Sequence, residues 1–277
     1  MDRPRLLRGE HIGRVGGRVE TERFAIVEVV NNTELDVPLH EHGPPHFCFV
    51  VSGDYFVRSG SDVTGYPAAT LVYYPTATVH RDRLGSAGSR FLGVSVRPEQ
   101  VEELDEVVGF ANASSSLQDP RLAPLCYRLY RAFARDHDQD TVLMEALALE
   151  LVAMAGRRPL PPLRRRPTWL ELALEAMRSG NHHALRIGDV AREIGIHPVH
   201  MVRVFRQFLG CTPADYLRAC RVDSAIREII ADDSPLSQVA LDCGFHDQSH
   251  LTRVFKRQTG TTPAAFRRLV RLPSTAR

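Results

Sequence analysis

The stretch Ser237–Arg267, SQVALDCGFHDQSHLTRVFKRQTGTTPAAFR, decides the fold of the C-terminal half of this chain. Gly244 divides the stretch into two helices, and Asp247 can cap the second one. Apolar or small residues recur at helical spacing in both helices, at Val239, Ala240 and Cys243 and at Leu251, Val254 and Phe255. The stretch therefore predicts two short helices joined by a tight glycine turn.

The outward face of the second predicted helix is polar, and its only charges are positive. If the apolar stripe faces inward, Ser249, Arg253 and Lys256 lie on the opposite side, with His250 and Thr252 on the flanks. An arginine on such a helix can donate two hydrogen bonds to a guanine edge in the major groove of DNA. Helix pairs with a solvated basic face are also common, so this stretch alone leaves an ordinary helical hairpin open.

The same pattern occurs about fifty residues upstream, in Ile187–Arg218. Its positions Val190, Ala191, Gly195, Met201, Val204, Phe205, Gly210, Thr212, Pro213 and Tyr216 echo Val239, Ala240, Gly244, Leu251, Val254, Phe255, Gly260, Thr262, Pro263 and Phe266. The downstream copy carries one extra residue in its turn. The upstream helix is predicted to begin at Pro198 and to turn outward Val199, Arg203 and Arg206, with His200 and Val202 beside them.

Together the two copies resemble the DNA-binding domain of the AraC/XylS family of bacterial transcription regulators, over about residues 168–271. The family signature GF.DQS.L.R.FK....G..P..FR is matched at Gly244, Phe245, Asp247, Gln248, Ser249, Leu251, Arg253, Phe255, Lys256, Gly260, Pro263, Phe266 and Arg267. The resemblance implies two helix-turn-helix units joined by one long helix, which the apolar pattern of Pro213–Ala231 predicts. A further helix is predicted over Thr168–Arg178, with an apolar stripe of Trp169, Leu170, Leu172, Ala173, Leu174 and Met177. His197 departs from the pattern, because the family often has a serine cap there and histidine is a poorer cap.

The resemblance implies double-stranded DNA as a partner, a homodimer, and RNA polymerase if the protein is an activator. The candidates for contacts with base edges are Val199, Val202, Arg203, Gln248, Ser249, His250 and Arg253. The candidates for contacts with phosphates are Arg206, Lys256 and Arg267.

Charge is divided unequally along the chain. Residues 1–163 hold 17 lysines and arginines against 22 acidic residues, a net of −5, whereas residues 164–277 hold 18 against 11, a net of +7. A basic surplus in the half with the repeated helices favours binding to phosphates. Between the halves, the four prolines and five arginines of residues 156–167 predict a linker.

Composition bounds the class of protein. With 277 residues, 43% hydrophobic and 25% charged, the chain is long enough for two soluble domains. The first residues, MDRPRLLRGEHIGR, lack the apolar core of a signal peptide, and no run of eighteen apolar residues occurs, so a cytoplasmic protein without a membrane partner is expected. The five cysteines form no CxxC pair and are expected to be reduced packing residues.

The N-terminal half is predicted to be built of strands. Residues 20–100 alternate apolar and polar positions over short runs such as FAIVEVV and FCFVVSGDYFVR, which predicts a small antiparallel barrel or jelly roll. Within it, PLHEHGPPHFCFVVSG followed by YPTATVH resembles the double motif of the cupin superfamily through His40, His42, Gly53, Pro75 and His80. His46 stands at the position of the expected glutamate, and Ala77 replaces the glycine of the second motif.

Strand alternation brings the imidazoles of His40, His42, His46 and His80 toward one interior. Neutral imidazoles suit a transition metal such as Zn, Ni, Cu or Fe. The alternative is a hydrogen-bonded pocket wall for a small-molecule effector without metal, and the sequence leaves both open.

The expected fold is α+β with two domains. A cupin-like β-barrel (1–100) and a helical extension (101–155), with helices at 98–110, 119–136 and 140–155, precede the linker (156–167) and an all-α DNA-binding domain (168–277). The apolar helix at 140–155 is expected to be buried on more than one side, either in the core or against its copy in a dimer.

Two classes of function compete on these patterns. The first is a sequence-specific transcription regulator controlled by a small molecule or metal in the barrel. The second is a metal-dependent cupin enzyme with a helical appendage, which explains the histidines but gives the repeated helices no purpose. Because no nucleophile and base pair and no glycine-rich phosphate loop support catalysis, no enzyme activity is expected.

Overall fold

The structure is a computed structural model that describes residues 5–6, 13–31, 33–59, 62–84, 89–135, 140–156, 167–179 and 185–271. It divides into two compact units, of which the first consists mainly of residues up to 118 and 125–158, and the second of 119–124 and 159–269. Residues 157–166 of the predicted linker lie outside the described residues. No helix in the described ranges is long and apolar enough to cross a membrane.

The first unit contains two sheets. The strands are β1 (Arg5–Leu6), β2 (Arg14–Glu20), β3 (Phe24–Asn31), β4 (Leu35–His42), β5 (His46–Ser52), β6 (Tyr55–Ser59), β7 (Asp62–Tyr66), β8 (Leu71–Tyr74), β9 (Thr78–Leu84), β10 (Ser89–Val96) and β11 (Ser115–Leu117). The five-stranded sheet has the order β1-β4-β9-β6-β7, and the six-stranded sheet has the order β11-β8-β5-β10-β3-β2. Apart from β1 and β4, which run parallel, neighbouring strands are antiparallel.

Three of the described helices lie mainly in the first unit, and the others form the second unit. A 3-10 turn at Pro98–Gln100 precedes α1 (Val101–Val108), α2 (Leu122–Phe133), α3 (Thr141–Ala155), α4 (Thr168–Arg178), α5 (Ile187–Glu193), α6 (Pro198–Leu209), α7 (Pro213–Ala231), α8 (Leu236–Asp242), α9 (Gln248–Thr259) and α10 (Pro263–Arg271). The predicted bounds of α4 and α7 and the start of α6 are confirmed. An α+β protein with an N-terminal sheet region and a C-terminal helical unit is therefore confirmed.

Side chains from both sheets form one apolar core, which includes Val29, Val50, Tyr55, Tyr74 and Phe91. Because strand side chains alternate between faces, a strand of this core contributes alternate residues to it, as Val27 and Val29 of β3 and Val72 and Tyr74 of β8 do.

Helix α2 covers part of the six-stranded sheet. The Tyr127 hydroxyl donates to the Val51 carbonyl at 2.7 Å, and the Tyr127 ring meets that of Phe49 edge-on at 4.8 Å.

A bulge in β4 controls which of its side chains face this core. Val37 pairs with Asp82 and His40 pairs with His80, so β4 has one residue more than β9 between these pairs. The extra residue reverses the alternation, and Val37, His40 and His42 are all buried. Pro38 lies within the bulge, where a strand can accommodate a residue without an N–H group.

The two helix pairs of the second unit repeat each other in backbone detail. At the end of α5, the Ile196 N–H bonds to the Ala191 carbonyl, and at the end of α8 the Phe245 N–H bonds to the Ala240 carbonyl, both at 2.8 Å. Gly195 and Gly244 take left-handed φ values of 73° and 75° at these ends. This is a Schellman ending with glycine in the position that requires positive φ. The predicted repeat and its glycine turns are confirmed.

One expected packing pattern is wrong. Leu172 was expected in the buried stripe of α4, but it is 58% exposed, because Leu170, Ala173, Leu174 and Met177 occupy the face that packs in the core. Helix α3 is buried on one face only, through Met144, Leu147, Ala148, Leu151 and Val152, and it leaves Val142 and Leu143 exposed. The first unit thus uses one side of α3 for its core.

The glycine turn of the first helix pair makes a prediction about stability. A methyl group at Gly195 or at Gly188 would meet no atom within 4 Å, but only Gly195 has positive φ. Gly195→Ala should destabilise the fold by about 1–2 kcal/mol, the cost of the left-handed region for an L-residue. The helical Gly188→Ala should be neutral or stabilising by up to about 1 kcal/mol. Urea denaturation of both variants measures the difference, and equal effects would contradict the turn assignment.

Candidate nucleic-acid interface and ligand site

Helix α9 presents the face that the sequence predicted. Leu251, Val254 and Phe255 are buried, whereas the residues on the opposite side are exposed. This exposed face carries Gln248, Ser249, Arg253 and Lys256, with His250 and Thr252 half-buried beside it, and Arg257 is exposed as well. Neither Arg253 nor Lys256 has a carboxylate partner among the described residues, so both cations remain available to a ligand.

Helix α6 presents the equivalent face. Met201, Val204 and Phe205 are buried, Arg203 and Arg206 are exposed, and Val202 is half-buried. Val199 is 70% exposed in the first turn, where an apolar side chain can contact the methyl group of thymine. The Arg203 guanidinium lies 3.0 Å from His200 Nδ1, which orients it along the helix. The structure therefore gives both helices one exposed face that is free of acidic residues.

The two helices are capped with different strength. Asp247 Oδ1 accepts a hydrogen bond from the His250 N–H at 2.7 Å. This bond holds the pKa of Asp247 below its usual range, with a smaller contribution from His246. At α6, His197 Nδ1 accepts from the Val199 N–H at 3.3 Å. The imidazole of His197 therefore does cap α6, but its hydrogen bond is longer than that of Asp247, as expected of a poorer cap.

Arg267, a candidate for phosphate contact, is held inside the second unit. It is half-buried, and its Nη2 donates to the Ser234 carbonyl at 2.7 Å. This bond ties α10 to the loop before α8. The roles of Arg267 and of the other candidates in DNA contact stay predictions.

Three of the four predicted histidines come together between the sheets. The ligand atoms of His40, His42 and His80 all lie within 4.8 Å of one another, and all three residues are buried. His40 Nε2 lies 3.0 Å from His42 Nε2. Register explains the meeting, because His40 pairs directly with His80 across β4 and β9.

His46 lies beside this group as a stacked ring. Its centroid is 3.7 Å from that of His42 and 4.8 Å from that of Tyr74, with ring planes 34° and 15° apart. It is outside the set of described residues whose ligand atoms converge. The sequence predicted that four imidazoles converge, and the ligand atoms of three of them do so.

Asp82 is the residue of this site that the sequence reading missed. Its carboxylate is buried, with Oδ2 3.6 Å from His40 Nε2 and Oδ1 3.3 Å from His80 Nε2. The missed signal is the alternation HRDRL on β9, in which His80, Asp82 and Leu84 share the inward face. A carboxylate therefore joins the imidazoles from the strand that carries His80.

The cavity at this site is small. It measures about 40 Å³ and is lined by His40, His42, His46 and Asp82, with Tyr55 and Cys48 among its other walls. Burial lowers the pKa of His40, against smaller opposing effects from the Pro38 carbonyl and Asp82, so its imidazole is neutral near pH 7. Burial raises the pKa values of Tyr55 and Cys48, which keeps both groups protonated.

Ala77 shows how the chain manages without the expected glycine. Its φ is 61°, a left-handed value that favours glycine. The turn between β8 and β9 therefore keeps the conformation that a glycine would take.

Comparison with known proteins identifies the second unit. Residues 190–269 match the family described as "Helix-turn-helix domain". The probable transcription factor PqrA from Proteus vulgaris is 34% identical over 81 residues, which are 29% of this chain and 62% of that protein. The chain therefore carries a helix-turn-helix domain, the class of fold that binds the DNA major groove, and spans 62% of the length of this relative. Residues 244–267 of this domain carry the signature run that resembles the AraC/XylS family.

Solved structures give weaker likenesses. ToxT from Vibrio cholerae O395 has a TM-score of 0.38 at 10% identity, over 90% of this chain and 98% of that chain. A transcriptional regulator with an AraC-type DNA-binding domain from Chromobacterium violaceum has a TM-score of 0.36 at 25% identity, over 38% of this chain and 94% of that chain. The helix-turn-helix domain is thus shown by the sequence match over residues 190–269.

The long cap bond of α6 makes a second prediction. His197→Ser should stabilise the fold by about 0.5–1 kcal/mol, because serine is among the preferred caps and histidine is not. The matched change Asp247→Ser at α9 should leave the stability nearly unchanged, since it exchanges one good cap for another. The midpoints of urea denaturation of the two variants measure these changes in stability. A destabilised His197→Ser would show that the imidazole is the better cap here.

Proposed function

We propose that this protein is a sequence-specific DNA-binding transcription regulator, and that a small molecule or a metal ion in its first unit controls it. The observation that carries this proposal is the repeated exposed face of α6 and α9, two helices that contain arginines and no acidic residue. Each follows the same glycine turn. In a helix-turn-helix, the second helix of each pair is the one that enters the major groove.

Charge and geometry support contacts of two kinds. We assign base edges to Val199, Val202, Arg203, Gln248, Ser249, His250 and Arg253, and phosphates to Arg206, Lys256 and Arg267, as predicted above. The net charge of +7 on residues 164–277 supplies the phosphate attraction and makes affinity fall as salt rises. If α7 spaces the two helices by one helical turn of DNA, about 34 Å, they read successive major grooves on one face of the duplex.

In this proposal the first unit is a cupin-like barrel, formed by the two sheets around their common core. Its interior cavity of about 40 Å³ is far below the size of pockets for drug-sized ligands, about 300–1,000 Å³. A groove of about 560 Å³, lined by Glu34, Asp36, Arg58 and Arg83 among others, falls within that range. An organic effector therefore fits the groove, and the interior suits an ion.

The partners follow from the class of protein. We propose a homodimer through the exposed apolar residues Val142 and Leu143 of α3, and contact with RNA polymerase if the protein activates transcription. A metal-dependent enzyme is the second candidate that the histidines allow, but it leaves the two basic helices unexplained.

One arginine variant and one lysine variant test whether the protein recognises a specific DNA sequence. A binding site is first identified by selecting, from a pool of random DNA duplexes, those that the protein binds. Arg253→Ala should then relax preference at one base position and cost about 1–3 kcal/mol there, the value of a bidentate contact. Lys256→Ala should weaken all sequences alike and reduce the slope of log affinity against log salt by about 1.

The matched control is Arg227→Ala on α7. Arg227 is paired with Asp223 at 3.1 Å and lies outside both recognition helices, so its removal should leave DNA affinity nearly unchanged. Uniform losses across sequences for both Arg253→Ala and Lys256→Ala would show that Arg253 does not read bases. Absence of any selected sequence would overturn the proposed function.

A further inference from the structure

We propose that His200 is a positioning residue for DNA recognition, which holds the guanidinium of Arg203 in the orientation that meets a base edge. Its counterpart in the second helix pair, His250, holds the turn before α9 instead. The inference rests on the proposed function, in which arginines of α6 and α9 read bases, and it adds a residue on which the specificity of α6 depends.

Both recognition helices carry the same pair of polar side chains. The sequence reads HMVR at 200–203 and HLTR at 250–253, and the buried residues that follow the two histidines, Met201 and Leu251, are equivalent in the repeat. Side chains three residues apart on a helix are neighbours on its surface. Each histidine is therefore within reach of the arginine that follows it.

In α6 the histidine and the arginine are bonded. Arg203 Nη2 lies 3.0 Å from His200 Nδ1. Because a guanidinium has N–H groups and no acceptor, it is the donor, and His200 Nδ1 accepts with its lone pair. The ring proton of His200 is therefore on Nε2. A hydrogen bond with an ionised donor is stronger than one between neutral groups.

The imidazole of His200 is itself held by its surroundings. It is half-buried, and its ring centroid lies 5.7 Å from that of Trp169, with the ring planes 50° apart. Arg203 is exposed and has no carboxylate partner in the part of the chain that the structure describes. A packed ring thus holds one N–H group of the arginine. The remaining N–H groups can still make the two bonds that recognise a guanine edge.

In α9 the equivalent nitrogen is occupied by the backbone. The His246 N–H donates to His250 Nδ1 at 3.3 Å. Burial, with a smaller contribution from Arg253, lowers the pKa of His250, so Nδ1 keeps its lone pair near pH 7 and can accept this bond. Arg253 makes no hydrogen bond or ion pair with another described residue. Its guanidinium is therefore exposed and is not held by the helix.

The length of the turn explains the difference between the two pairs. The turn before α9 is one residue longer than the turn before α6. The longer turn brings the His246 N–H to the ring of His250. After the shorter turn, no backbone N–H of the described residues bonds to His200, so its Nδ1 is left for Arg203. One inserted residue thus gives equivalent histidines different partners.

Holding the guanidinium should sharpen the reading of one base. Immobilising one long side chain on binding costs about 2- to 12-fold in affinity, and an arginine that is already oriented avoids much of this cost. The cost applies only where the contact with the correct base is made. Loss of the His200 ring should therefore lower the preference for that base and leave binding to other sequences nearly unchanged.

A double-mutant cycle in each helix pair tests the proposal. Binding of the full chain is measured for the selected DNA site and for its single-base variants, and Arg203→Ala identifies the base position that Arg203 reads. His200→Ala should lower the preference at this position by about 2- to 12-fold. In the Arg203→Ala background, His200→Ala should have no further effect there, because it acts only through the arginine.

His200→Asn is the conservative variant. The Oδ1 of asparagine lies near the place of the imidazole Nδ1 and can accept from a guanidinium, so this variant should restore the preference to within about twofold of wild type, the lower limit of the ordering cost. The matched control is His250→Ala. At the base position that Arg253 reads, it should change the preference by less than about twofold, because His250 does not hold Arg253.

Nitrogen NMR of the free protein gives a readout that needs no DNA. Arg203→Ala should shift the resonance of His200 Nδ1, because the variant removes the donor of its hydrogen bond. Arg253→Ala should shift the resonance of His250 Nδ1 much less, because the backbone donor of His246 remains.

The outcomes separate this proposal from the proposed function. The role of His200 is overturned by losses in His200→Ala that are equal for all sequences, that persist in the Arg203→Ala background, or that His200→Asn does not restore. An unchanged resonance of His200 Nδ1 in Arg203→Ala overturns it as well. With a DNA site selected, each of these results leaves the regulator intact. Absence of any selected sequence overturns the regulator, and the resonance of His200 Nδ1 then decides whether the bond to Arg203 exists.

Discussion

Burial of α7 is the constraint on which the second unit depends. Its first half joins the core of α4, α5 and α6 through Tyr216, Leu217 and Cys220, and its second half packs against α8 and α9. Each recognition helix is also fixed to the helix that follows it by an aromatic contact, Phe205 with Tyr216 and Phe255 with Phe266. The positions of α6 and α9 are therefore set by α7, a single continuous helix of 19 residues. A change in its core would move the exposed basic faces of α6 and α9 together.

The two helix pairs share this frame but differ at the start of the recognition helix. The turn before α9 has one residue more than the turn before α6, and it ends in an aspartate cap, whereas α6 begins with a histidine cap and a proline. In addition, the first turn of α6 exposes a valine, and that of α9 exposes Gln248 and Ser249. The duplicated scaffold thus carries two chemically different surfaces, one suited to methyl groups and one to hydrogen-bonding edges.

The sequence predicted most of the second unit because its signals are local. Helical periodicity, proline at the first helical position and glycine at positive φ all act within a few residues, and α4, α6 and α7 begin where these signals place them. What the sequence leaves open is long-range packing. Leu172 lies at the edge of an apolar stripe, and α3 is apolar on nearly every side, so the sequence does not specify which face meets a partner. Only the packing of neighbouring elements decides that.

The site of the first unit was predicted in part, for a reason that lies in β4. The HxH motif identified His40 and His42, and the register between β4 and β9 brings His80 beside them. In a regular strand, however, Val37 would face the opposite side from His40, because the two residues are three positions apart. The bulge at Pro38 restores Val37 to the core and supplies the carbonyl that orients His40. The motif places its carboxylate at the position of His46, whereas the carboxylate beside these histidines is that of Asp82, because the inward face of β9 meets the inward face of β4 at this point. Which side chains meet between the two sheets is thus a property of register between strands, which a motif within one strand does not encode.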